Sequence, residues 1–224
     1  MTTLKKDHWI HVWHYQFVNY HLCFSFSCFL RCHLSECFAS ARAAIDATLS
    51  SYYCLHEPEG AEHYKQFIEG VTTKVNFRNM KRHISRVRDK EPTKFPLAER
   101  LIQFHDQFSE MGAHADPQTI HAYRTAFHES ADGKGGQFQF DYFQVPPSRR
   151  EFIIWYAILL NVFYHVLQVF KLFLDRNLRT VDPVWERDYD GFMQSLKTLL
   201  ASEKITPEEL MKTLDKLRSD QSTS

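Results

Sequence analysis

Residues 152–174, FIIWYAILLNVFYHVLQVFKLFL, decide the fold class. The stretch is long enough to cross a bilayer, but Asn161, His165, Gln168 and Lys171 interrupt it. Its uninterrupted apolar run, 152–160, falls well short of the ~20 residues a span requires. A helix apolar nearly all round is what the centre of a larger helical bundle looks like, so the stretch predicts a buried core helix and no membrane partner. Ser148 and Glu151 stand at capping-box spacing just before it and give the helix a start.

Beyond this helix, Asp182 and Pro183 mark a loop ahead of another near 184–200. Thr206, Pro207 and Glu209 supply a further start signal, with proline at the first helical position. The tail SDQSTS, 219–224 at its end, is expected to be disordered. On the other side the period changes. Tyr123, Thr125 and Phe127 alternate, as do Phe138, Phe140 and Tyr142, with the turn-forming SADGKGG (130–136) between them, which predicts a β-hairpin at about 121–145. Residues 97–111 return to helical spacing through Leu97, Leu101, Phe104, Phe108 and Met111 and stop at Gly112. The more polar region 61–94 predicts two shorter helices, the second strongly basic.

The first quarter reads as two helices. In 33–56, Leu34, Cys37, Phe38, Ala41, Ile45, Thr48, Leu49 and Tyr52 lay one apolar stripe, Arg42 and Asp46 stand one turn apart, and Pro58 and Gly60 end the segment. Residues 8–30 are strand-like locally, but no turn punctuates them and their length favours a helix. Together these elements predict a single, mainly α domain over 1–218: a helical bundle with a small β-hairpin insertion.

At 224 residues the chain can bury roughly 70% of the surface its unfolded form exposes, so it needs neither disulfides nor metal to hold a core. Nineteen Phe, ten Tyr and four Trp make that core unusually aromatic. The 27 basic and 27 acidic side chains cancel, which excludes a globally basic nucleic-acid binder and leaves only local patches to meet an anionic partner. Cys23, Cys28, Cys32, Cys37 and Cys54 are odd in number and contain no C-x-x-C pair, as expected of buried small hydrophobes in a reducing compartment. Asp7, His8, His11 and His14 break the apolar core that a signal peptide needs, so the expected location is cytoplasmic.

The phosphate-binding, dinucleotide-binding, nucleophile-elbow and zinc-protease motifs are all absent, and no cofactor is implied. His8, His11 and His14 form an H-x-x-H-x-x-H ladder, but Asp7 is the one carboxylate that could complete a first shell there, and such histidines more often line a polar face, so no metal site is assigned. Residues 74–94 concentrate Lys74, Arg78, Lys81, Arg82, Arg86, Arg88, Lys90 and Lys94 against Asp89 and Glu91. Arg78, Arg82 and Arg86 recur at four-residue steps, so on a helix they form a guanidinium stripe able to follow a phosphate backbone. The alternative is a solvated face that pairs with acidic neighbours.

The order FASARAAIDATLSSYYCL (38–55), a basic stretch, FHDQFSEMGAHADPQTI (104–120), a segment ending FQFDYFQV (138–145) and a long closing apolar helix resembles divergent members of the HEPN superfamily over residues 33–176. That resemblance implies a helical bundle related to defence or toxin–antitoxin proteins, whose active members cut RNA without metal, often in a cleft built across a dimer. The superfamily's signature is an arginine, four to six residues, then a histidine. Its arginine steadies phosphate charge and its histidine assists proton transfer at the 2′-hydroxyl. Arg100 and His105 fit the spacing, as do Arg78 and His83, while Leu101 stands where a polar residue often follows the family's arginine.

His114 is a further candidate. It follows Gly112 past a helix end and precedes Asp116 and Pro117, with Ser109 and Glu110 one turn back. Its plain reading is a histidine that caps a helix C-terminus. The functional expectation is therefore an RNA-engaging protein with a catalytic site at Arg100, His105 and His114 and backbone contacts at Arg78, Arg82 and Arg86. The rival is a non-catalytic scaffold whose exposed aromatic surface makes a homodimer.

Overall fold

Helix α1 (Trp9–Leu30) turns back on α2 (Leu34–His56) through three residues. Cys32 takes the left-handed conformation, with φ 59°. The amide of His33 donates to the carbonyl of Cys28 at 2.9 Å and that of Cys32 to Phe29 at 2.9 Å, a Schellman closure that satisfies the carbonyls at the end of α1. The computed structural model describes residues 9–56, 62, 65–66, 69, 77–90, 93, 97–110, 124–129, 134–140, 148–177 and 181–213. Four more helices follow in the order α3 (Phe77–Lys90), α4 (Ala98–Glu110), α5 (Arg149–Asn177) and α6 (Pro183–Ser202), and a last short one, α7, covers 207–213.

The centre of the bundle is α2, which packs against α1, α3, α4 and α5. Every residue of its predicted apolar stripe is buried, with Cys37, Ala41, Ile45, Thr48, Leu49 and Tyr52 fully so. Ser40, Ala44, Ala47, Ser50 and Ser51 are buried on its other faces, where small side chains let neighbouring backbones approach. Burial pushes the thiols of Cys37 and Cys54 up to about 12, so both stay protonated and inert. All five cysteines are free. The closing helix α5, expected at the centre, flanks it instead. Ile154, Ile158, Val162, Val166, Val169 and Phe170 face the core, while Phe152, Trp155, Phe163 and Leu172 are only partly covered. It is the one helix among the described residues long and apolar enough to cross a membrane.

The fold class needs a correction: the helices, seven among the described residues, form an all-α bundle, and the two strands that lie within the β-hairpin expected at about 121–145 take no part in that bundle. Two short segments, β1 (Arg124–Glu129) and β2 (Gly136–Phe140), pair antiparallel with an irregularity between Arg124 and Ala126, and their main packing is on each other. The physical reason is that period-two alternation specifies only local pairing. A two-stranded ribbon without a third strand or a helix over its face adds little to a fold.

Local signals at the other helix ends act as the sequence implies. The amide of Glu151 donates to Ser148 Oγ at 3.1 Å, that of Val184 to Asp182 Oδ1 at 2.8 Å and that of Glu209 to Thr206 Oγ1 at 3.1 Å. Arg150 then ties the start of α5 to α7, its Nη2 donating to both carboxylate oxygens of Glu209 at 2.8 Å.

A candidate histidine–carboxylate site on α2, α3 and α4

Leu101, Phe104 and Phe108 turn one face of α4 into the core. His105 lies four residues after Leu101 and three before Phe108, so the same face draws its ring inward and leaves only 9% of the side chain accessible. Its Nε2 meets Asp46 Oδ1 of α2 at 2.8 Å, and its Nδ1 lies 3.1 Å from Asp106 Oδ1 and 3.4 Å from Lys81 Nζ of α3. Lys81 also pairs with Asp106, and Arg42 Nε approaches Asp46 Oδ2 at 3.9 Å. Three helices thus converge on one imidazole.

The Nδ1 contacts to Asp106 and Lys81 have hydrogen-bond geometry, whereas the approach of Nε2 to Asp46 is an ion-pair distance without it. Burial raises the affinity of Asp106 for a proton, but hydrogen bonds from Lys81 and His105, together with their charge, outweigh it and hold the carboxyl below its usual value.

Lys81 has a second neighbourhood. With Arg82, Ser85, Arg86 and Asp89 it lines a surface hollow of about 490 Å³ on α3. Arg82 and Arg86 are exposed and make no ion pair among the described residues, so the hollow carries a net positive charge. Arg78 belongs to the same helix by its backbone, but its side chain lies outside the described residues.

The sequence candidates are only partly brought together. Arg82, Arg86 and His105 gather around Lys81. Arg100 does not join them: five residues on a helix separate it from His105 by about 140°. Its Nη1 donates instead to Gln103 Oε1 at 3.1 Å, and its charge acts on His165 of α5, whose imidazole burial already holds below its ordinary pKa. His114 lies outside the described residues, as do His8 and the tail 219–224. The histidine ladder of α1 is absorbed by packing. His11 Nδ1 meets Ser51 Oγ at 2.7 Å, burial lowers His14 to about 4, and His21 Nδ1 meets Ser40 Oγ at 2.9 Å. Among the described residues no three His, Cys, Asp or Glu side chains could hold a metal ion.

Sequence reasoning missed Asp46, Asp106 and Lys81 as parts of the site. Asp46 carried a signal, since it is an acid set between Ile45 and Ala47 on a helix rich in small and apolar residues. No family model matches the chain, and no curated protein or solved structure matches it either.

Proposed function

We propose that this protein engages RNA through α3, with Lys81, Arg82 and Arg86 receiving backbone phosphates and His105 serving as the proton-transfer group beside them. The observation that carries this reading is the double placement of Lys81, which lines the basic hollow and also contacts His105 and Asp106. A phosphate drawn to the hollow competes with Asp106 for Lys81, which couples anion binding to the surroundings of His105. Asp46 holds its carboxylate 2.8 Å from Nε2 on the inner side of the ring. The HEPN-like order of segments accords with cleavage at a 2′-hydroxyl.

The experiment compares parent and His105→Ala protein on a panel of single-stranded and structured RNAs in the presence of a chelator. Cleavage by the parent should fall by about 10² to 10⁴ in the variant, with binding changed little. Unaltered cleavage would remove His105 from the chemistry, and a parent that neither binds nor cuts would end the RNA reading. One observation favours the second reading, a non-catalytic module: Arg100 is turned toward Gln103 and His165, away from His105. Binding without cleavage is its outcome.

A further inference from the structure

Among the described residues, helix α1 carries most of the exposed large hydrophobic side chains. Trp9, Trp13, Phe17, Tyr20 and Phe24 are each 47–64% exposed. At about 100° per residue the five fall within roughly 80° of arc, opposite the face that buries Val18, Leu22, Ser25 and Phe29 against the core. They form one continuous aromatic stripe about 22 Å long. Tyr20 and Phe24 stack on each other with ring centroids 6.2 Å apart. Monomeric proteins seldom leave so ordered an apolar strip in water.

We propose that this stripe is a twofold interface with a second copy of the chain, two α1 helices packing antiparallel. Three features select that occupant. The first is the spacing, which is close to a palindrome. Running antiparallel about a point between Gln16 and Phe17, Trp9 of one copy comes opposite Phe24 of the other, Trp13 opposite Tyr20, and the two Phe17 rings flank the axis. The second is charge: α1 contains no Asp, Glu, Lys or Arg, so self-apposition brings no like charges together and strands none. A nucleic acid or an acidic peptide finds nothing there to neutralise. The third is area. Aromatic side chains of ~200 Å² each, about half exposed, offer roughly 500 Å² per copy, so a pair buries ~1,000 Å², the size at which a specific interface begins. Exposed Gln16 and Cys23 beside the stripe add to it.

The interface stands apart from the site on α2, α3 and α4, so it holds whether or not RNA is bound. Light scattering of the full chain at micromolar concentration tests it. The parent should run at twice 26.6 kDa. Trp13→Glu should weaken association at least ~30-fold, the effect of losing one hot-spot aromatic, with helix content by circular dichroism unchanged. Trp13→Ala should do the same without a new charge. Because Trp13 faces Tyr20 of the other copy, mixing Trp13→Glu with Tyr20→Lys should restore a mixed dimer, a readout that only the antiparallel register gives. A monomeric parent, a dimer indifferent to Trp13, or a monomer that floats with phosphatidylcholine vesicles through this stripe would each overturn the proposal.

Discussion

His14 shows how one side chain sets a pH limit. It sits on α1 where burial holds its imidazole at about 4, against 6.5 for a free ring. The folded chain therefore binds this proton more weakly than the unfolded chain does, and protonation between these values favours unfolding. Stability should be intact above pH 6.5, fall as the pH drops toward 4, and lose roughly 3 kcal/mol or slightly more in all from this residue. His21 and His165, also lowered by burial, act in the same direction. Urea titrations at pH 7 and pH 4.5 check this, and His14→Leu should shrink the difference between them. An equal loss in the variant would place the acid sensitivity elsewhere.

Among the elements, α2 and α5 make opposite points about what a sequence displays. The stripe from Leu34 to Tyr52 is legible because three- and four-residue spacing is a property of one helix, and all eight of its positions are buried. Which helix lies at the centre depends on how many neighbours it meets, which spacing does not encode. The nearly continuous apolarity of α5 suggested the centre, whereas the small residues of α2 occupy it. The difference is measurable. Leu49→Ala in α2 should cost about 2–5 kcal/mol in urea unfolding, while Leu160→Ala on the partly covered face of α5 should cost less than half as much. The reverse order would restore α5 as the core helix. The site was legible only in pieces. His105 and the arginines of α3 were named from their residue types, but Asp46 reaches His105 from 59 positions earlier in the chain, and no local pattern joins them. The five-residue step that matched Arg100 to His105 is a spacing along the chain, and on a helix it turns the two apart.

At the scale of the whole molecule, charge is balanced at 27 against 27, so any affinity for a polyanion must come from a patch. The paired charges around His105 nearly cancel, which leaves Arg82 and Arg86 as the surplus beside Lys81. Each phosphate they neutralise releases counterions and steepens the salt dependence of binding by about 0.7 on single-stranded RNA. The direct measurement is the slope of log binding constant against log salt for the parent and for Arg82→Gln/Arg86→Gln. RNA binding through α3 predicts a slope shallower by about 1.4 in the double variant, with affinity reduced and thermal stability unchanged. Identical slopes and affinities would contradict it and remove α3 as the contact surface.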